Sequence, residues 1–534
     1  MKKINLIVSI VALSMLFMQS CKESTSDSQS KAPVVSASTA FDVVILNGRV
    51  MDPETNLDAI RNVGIQNGKI TLITEEKITG KETIDATDHV VSPGFIDFHT
   101  HSSNIPFGQR LFLRDGVTTP LELEMGAYPL DAYYASLEGK SYTNYGATVG
   151  VGGIREKVVH PAYNSKSGSL VKDLFNKHED AFATMEVATF MPTNEQEKQI
   201  KSMVEEGINQ GALGIGVPVG YMSLGTKSTE LMAWQDLAAK SGLSTFLHGR
   251  FSSQQPPTSG LLGFQEMISS VGIYGGGLLI HHIHQQTLDD TPAAIEMIAR
   301  ARENGLKVTA EVYPYYQGAT IVSADYLVPS NYGPNMGRDY KDIIEVATMK
   351  PLTKDRYEEL VKTDPAASVI FGGISEEGLM NTIASPKVII GSDGMPLVIS
   401  ASGEMAIDFD IPFDAVQGHP RGAGTHAKVL RLSRDENLIP LMLAISKMTY
   451  MQAAYLVENG VESMASKGRI QVGADADITI FDPKTVTDNA TMLKAGLPST
   501  GIPYVLVNGT IVVKDSKVLK GVYAGKPVRN TIKE

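Results

Sequence analysis

Through the middle of the chain, segments with apolar residues three and four apart are followed by a Gly or Pro break and then by a short unbroken apolar run. The pattern recurs in "MVEEGINQGALGIGV", "LMAWQDLAAKSGLSTFLH", "PAAIEMIARARENGLKVTAEVY" and "MNTIASPKVIIGS". Spacing of three and four marks a helix with one buried face, and a short continuous apolar run fits a strand buried on both faces. Helix, break and strand repeated in this order predict a parallel α/β sheet or barrel. The two ends of the chain are patterned differently. "FDVVILNGRVMD" and "NVGIQNGKITLI" near the start, and "PYVLVNGTIVVKD" near the end, alternate apolar and polar positions around an Asn-Gly pair, a strong hairpin signal. "ADADITIFDP" reads as one more strand. The expected organisation is an α/β chain in which a barrel, residues 90–466, is inserted between two halves of a small β-domain, residues 41–89 and 467–534.

The first forty residues follow neither pattern. Lys2 and Lys3 precede an apolar run from Ile4 to Met18 that is too short for a membrane span, and Gln19, Ser20 and Cys21 follow. This resembles a bacterial lipoprotein signal. The resemblance implies a signal peptide over residues 1–20, a lipid on Cys21, a flexible tether over 21–40, and an exported protein held at a membrane in the periplasm or at the cell surface. Cys21 is the only cysteine, so no disulfide framework is expected. Apolar content of 43% and charged content of 20% fit a globular body. With 59 acidic against 47 basic residues the net charge is −12, which argues against a nucleic-acid partner.

In a parallel barrel the chemistry gathers at the C-terminal ends of the strands, and the polar candidates fall there. "GFIDFHTHSS" ends an apolar run with His99 and His101, two apart and therefore on one face of a strand. "VTTPLELEMG" carries Glu122 and Glu124 in the same relation. "LSTFLHGR" ends with His248, "GLLIHHIHQ" with His281, His282 and His284, and "KVIIGSDG" with Asp393. Alternation would send His282 to the face opposite His281 and His284, so only one parity of that run can line a lumen. Four imidazoles and two carboxylates suffice for one or two zinc-like ions, since zinc accepts nitrogen and oxygen ligands and a carboxylate can lie between two ions. Asp393 is then placed to act as the base that hydrolysis needs.

These residues resemble the motifs of the amidohydrolase superfamily and, within it, of the D-aminoacylase (N-acyl-D-amino-acid deacylase) family. The likeness runs from Phe41 to the end, through "PGFIDFHTH", "GALGIGVPVGY", "FLHGR", "EVYPYYQG", "GSDGMP", "HPRGAGTHAKVL", "AISKMTYMQAAYL", "KGRIQVGADADITIFDP" and "GIPYVLVNG". It implies a (β/α)8-type barrel with a small flanking β-domain, one or two Zn²⁺ ions, and hydrolysis of the amide bond of N-acyl-D-amino acids to a D-amino acid and a carboxylic acid. It implies that His99, His101, His248 and His282 are metal ligands and that Asp393 is the general acid/base and touches the metal. Arg421 in "HPRG" would hold the substrate carboxylate, for which a bidentate fork is suited. Tyr313, Tyr315, Tyr221 and Arg250 match positions lining the substrate pocket, and His284 stands there in place of a family lysine. The family's strand-two cysteine ligand is missing from "LELEMG", where Met125 stands nearest its place, so Glu124 or, failing that, Glu122 has to substitute. "GALGIGVPVG" contains no lysine, which removes the carbamylated-lysine bridge of other amidohydrolases. Two sister activities suit the same site, a dipeptidase releasing C-terminal D-residues and a cyclic-amide hydrolase. A lipid-anchored binding protein without chemistry is the reading from another class.

Overall fold

The computed structural model describes residues 41–175 and 186–532. The signal peptide, Cys21 and the tether lie outside the described residues. Eight short parallel strands pair in chain order: Phe95–Asp97, Val117–Ala127, Gly146–Gly150, Ile215–Val217, Ser244–Leu247, Gly277–Ile280, Lys307–Val312 and Val388–Ile390. The eighth meets the first only beyond the strand ends, where Thr100 pairs with Gly394 and the His101 N–H donates to the Gly394 carbonyl at 2.9 Å. The seam of this nearly closed barrel thus lies at its C-terminal mouth, beside the predicted metal motifs.

The helices on the outside form where the apolar spacing predicts them. Helix Asn194–Asn209 starts with a reciprocal cap between Thr193 and Gln196, and helix Ser228–Ser241 stops at Gly242 in the left-handed conformation. Their buried faces, Ile200, Val204 and Ile208 on one and Leu231, Trp234 and Ala238 on the other, join strand residues Val149, Ile215, Phe246 and Leu279 in one core. Both chain ends build the flanking sheet of nine strands, which has its own core around Val43, Ile45, Val63, Ile65, Ile478 and Leu506. Its two halves join where Val90–Pro93 runs antiparallel to Ile478–Phe481.

Three details differ from the pattern read in the sequence. Val90–Pro93 belongs to the flanking sheet, and the first barrel strand starts only at Phe95. The chain changes sheets at Gly94, where a Cβ would come within 2.3 Å of Thr118, so only glycine lets the backbone pass. Asn47-Gly48 does not turn a hairpin. Asn47 has φ 62° and makes a bulge inside the long strand Phe41–Asp52, its N–H donating to Asn62 Oδ1 at 2.8 Å. The other two pairs, Asn67-Gly68 and Asn508-Gly509, do turn hairpins. Finally, a four-stranded sheet built from Gln317–Ile321, Ile343–Glu345, Lys350–Pro351 and Ser368–Gly372 is inserted between the last two barrel strands, and its first strand reaches the mouth.

Candidate metal centre

Glu124 lies at the middle of the mouth. One of its oxygens is 3.3 Å from His99 Nε2 and 3.2 Å from His101 Nε2. The other is 2.7 Å from His248 Nδ1 and 2.9 Å from His282 Nε2. Asp393 Oδ1 closes the first pair at 3.4 Å from both His99 Nε2 and His101 Nε2. The second strand is irregular between Glu122 and Ala127, and Gly126 with φ 65° passes so close to Gly150 that a Cβ would meet its Cα at 2.7 Å. A bulge of this kind re-aims side chains, and here it aims Glu124 at the barrel axis. Sequence reasoning left Glu122 and Glu124 as alternatives. The structure gives them separate places, Glu124 between the histidine pairs and Glu122 behind His101.

Outer carboxylates fix the ring orientations. His101 Nδ1 faces both oxygens of Glu122 at 3.1 Å, and His99 Nδ1 faces Glu311 Oε2 at 2.9 Å. A carboxylate on Nδ1 selects the tautomer that leaves the Nε2 lone pair pointing inward. Glu311 also faces His281 Nδ1 at 2.7 Å and accepts from the His282 N–H at 3.1 Å. Sequence reasoning missed Glu311, although an acid inside the apolar strand "KVTAEV" was a visible signal. Alternation also misled at His281 and His282, because His282 has φ 31° and leaves the strand in a left-handed turn. Both histidines are therefore buried in the lumen. Asp393, with φ 54°, is a second non-glycine residue in that region. Such conformations persist where surrounding contacts over-determine them, and they cluster at functional sites.

The donor set fits divalent zinc. All the groups are buried, they supply only nitrogen and oxygen, and His99, His101 and Glu124 on one side and Glu124, His248 and His282 on the other hold their ligand atoms within 4.8 Å of one another. His99 Nε2 is buried with no hydrogen-bond partner, as expected of an atom reserved for a cation. Charge points the same way. Burial opposes a proton on His99, yet Asp393, Glu311 and Glu124 together hold its pKa well above the ordinary value. Positive charge is what this cluster of carboxylates demands. Burial also pushes the Asp393 carboxyl up, but Arg421 and His99 overcome it and bring it down to about 2, so the group stands ionised.

Arg421, at the start of helix Arg421–Asp435, reaches Asp393 Oδ2 with Nη1 at 2.9 Å and donates through Nη2 to the Ala319 carbonyl at 3.0 Å. Its Nε is buried without a partner, and Tyr313 lies under the guanidinium, 4.8 Å from its ring centroid. Tyr221 packs on His248 with ring centroids 4.6 Å apart, and Tyr326, which sequence reasoning did not single out, stacks near the same ring at 5.7 Å. These groups line one polar recess with Ser252, Gln285 and Ala319. Three expected pocket residues are elsewhere. Arg250 folds back onto Glu266, Nε to Oε2 at 2.9 Å, and onto the Ser223 and Thr226 carbonyls, which spends its donors on loop structure. His284 falls in the short helix after His282, which turns it behind Tyr313, its ring 4.4 Å away edge-on. Tyr315 lies past the end of the seventh strand, where alternation no longer holds, and packs beneath Lys428 and against His419.

No family model matches the chain. A D-aminoacylase of Alcaligenes xylosoxydans xylosoxydans is 25% identical over 93% of this chain and 99% of its own length. An N-acyl-D-glutamate deacylase of the same organism is also 25% identical, over 88% of this chain and 93% of its own. Among solved structures, the N-acyl-D-glutamate deacylase of Bordetella bronchiseptica, complexed with zinc and a phosphonate inhibitor, superposes with a TM-score of 0.71 at 22% identity, covering 92% of this chain and all of that one. A D-aminoacylase crystal structure gives 0.68 at 23% identity. The nearly closed parallel barrel beside a sheet made from both chain ends is thus a fold that this chain shares with those deacylase structures. In sequence the chain is similar to a D-aminoacylase and to an N-acyl-D-glutamate deacylase over nearly its whole length.

Proposed function

We propose that this protein hydrolyses the amide bond of N-acyl-D-amino acids, releasing a D-amino acid and a carboxylic acid, with one or two zinc ions held by His99, His101, Glu124, His248, His282 and Asp393. The observation that carries the reading is Glu124 standing between two histidine pairs, with the ionised Asp393 over one of them. When bound, zinc would polarise the acyl carbonyl and make the attacking water more acidic. The chain supplies the rest. Asp393 accepts a proton from the attacking water as its oxygen bonds to the acyl carbon, then returns that proton to the amine nitrogen as the C–N bond breaks. Arg421 holds Asp393 in place through Nη1 and offers its unspent Nε–H to the substrate carboxylate. Glu122 and Glu311 keep His101 and His99 in one tautomer and orientation through the cycle.

Preference for the D configuration is supported by the names of the relatives, a D-aminoacylase and two deacylases of N-acyl-D-glutamate and N-acyl-D-aspartate. Amine release from matched N-acetyl-D and N-acetyl-L amino acids, with and without a chelator, tests the reading. Chelator-sensitive release from the D series alone is expected. Equal turnover of both series, or turnover indifferent to chelation and to metal content, would overturn it. Export and attachment to a membrane through a lipid on Cys21 belong to the same proposal and rest on residues 1–21. Fatty-acid labelling lost in Cys21→Ser is the expected result, and label retained in that variant would refute the anchor.

A further inference from the structure

The mouth holds a second recess that the polar site does not use. It opens beside His101 and Tyr221 and is walled by Met125, Gly152, Pro218, Met222, Ile321 and Met395. Its volume of about 70 Å³ is several times the roughly 10–15 Å³ that one water needs, which is room for a chain of a few carbons. From this recess we infer that the enzyme prefers substrates whose acyl group is a short aliphatic tail longer than acetyl. The inference rests on the proposed function and names the substrate class within it.

Chemistry decides which part of the substrate enters. In an N-acyl amino acid the carboxylate and the amino-acid side chain share one carbon, so both lie on the amine side of the scissile bond. Arg421 fixes that side in the polar recess among Tyr313, Ala319 and Phe371. The apolar recess opens from His101 instead, and what projects there from a carbonyl at the metal centre is the acyl tail. No carboxylate lines it among the described residues, so a free terminal ammonium, as a dipeptide would bring, has nothing to pair with there. Three methionines in the wall suit a flexible occupant, because unbranched thioether side chains adapt to several chain shapes.

The test compares kcat/KM of the full-length zinc-loaded protein on N-acetyl, N-butyryl and N-hexanoyl derivatives of one D-amino acid. Each buried methylene should raise kcat/KM about fourfold until the recess is full. Gly152→Leu supplies the steric counterpart. A Cβ on residue 152 meets Pro218 at 3.4 Å, Leu170 at 3.7 Å and Met125 at 3.8 Å, ordinary contacts, so the larger side chain enters the recess without displacing backbone. It should bring the hexanoyl-to-acetyl ratio back toward one. A flat or falling series in the unmodified protein overturns the inference while leaving the deacylase reading intact, and it needs no variant to fold. Gly152→Leu altering discrimination among D-amino-acid side chains, with the acyl ratio unmoved, also overturns it. No release from any N-acyl-D-amino acid removes both readings together.

Discussion

Two buried carboxylates in this molecule are surrounded by nitrogen, and they serve opposite ends. Glu124, at the mouth, faces four imidazole nitrogens within 3.3 Å. Asp477, where the barrel meets the flanking sheet, accepts from Asn144 Nδ2 at 2.9 Å and from the Asn508 N–H at 2.7 Å, and pairs with Lys467 Nζ at 2.7 Å. Asn144 and Asn508 are themselves joined at 2.7 Å. Around Asp477 a fixed cation and amide donors satisfy both carboxylate oxygens, so the cluster is complete as it stands. Around Glu124 the partners are imidazoles that can ligate a metal, further carboxylates crowd in, and His99 Nε2 faces Glu124 and Asp393 at 3.3 and 3.4 Å without making a hydrogen bond. Burial of an acid is therefore not the mark of a metal site. The mark is a donor set whose charge and lone pairs call for a cation that the chain itself does not provide.

The comparison is broken most easily through the two residues that differ most in kind. Asp393→Asn removes the proton acceptor but keeps an oxygen donor. Turnover should fall by roughly 10²–10⁴-fold with most of the bound zinc retained, measured as kcat alongside metal content. Substantial residual turnover would remove Asp393 from the reaction. Lys467→Met should do the reverse. It strands Asp477 without its cation and leaves Asp475 with Lys69 alone, a loss of about 3–5 kcal/mol for a buried pair, read by urea or thermal unfolding, while zinc per folded molecule stays unchanged. A Lys467→Met protein that is stable but metal-poor would mean that the two clusters are coupled.

Between these extremes lies Glu311→Gln, which touches no substrate. It takes the carboxylate from His99 Nδ1 and His281 Nδ1 and should cost about 10–100-fold in metal affinity or activity, with added zinc recovering part of the loss. An unaffected variant would reduce Glu311 to packing. This residue also shows where the sequence was legible and where it was not. The barrel, the sheet made from both ends and the gathering of histidines and carboxylates at strand ends could be read because each rests on a local pattern, which fails at His282 where the backbone turns left-handed. Glu311 could not be assigned a partner, because its role depends on two histidines 212 and 30 residues away. Arg250, His284 and Tyr315 were misplaced for a related reason. Each follows the last residue of a strand, where alternation stops and loop geometry decides direction. Asp477 was visible as a strand-edge acid in "ADADITIFDP", but its partners Asn144 and Asn508 are far off in sequence.

The smallest expected effect is one of pH, and it belongs to the completed cluster. Burial opposes charge on Lys467, but Asp477 and Asp475 outweigh it and raise its pKa above the ordinary 10.5. A lysine raised in this way contributes its full stabilisation below its unfolded value and loses it as pH climbs through the folded one. Asp475, lowered from 3.8 with Lys467 as the leading favourable cause against burial, contributes above its unfolded value and loses that contribution as pH falls. The stability gap between the unmodified protein and Lys467→Met should therefore be level from about pH 5 to about pH 9 and shrink on either side. On the alkaline side it shrinks because the unmodified lysine gives up its charge, and on the acid side because Asp475 takes up a proton and no longer draws on Lys467. Unfolding midpoints of both proteins across that range provide the check. A gap that stays constant well above pH 10 would mean that Lys467 holds the seam by packing its stem, and that charge at Asp477 is balanced by the asparagine amides alone.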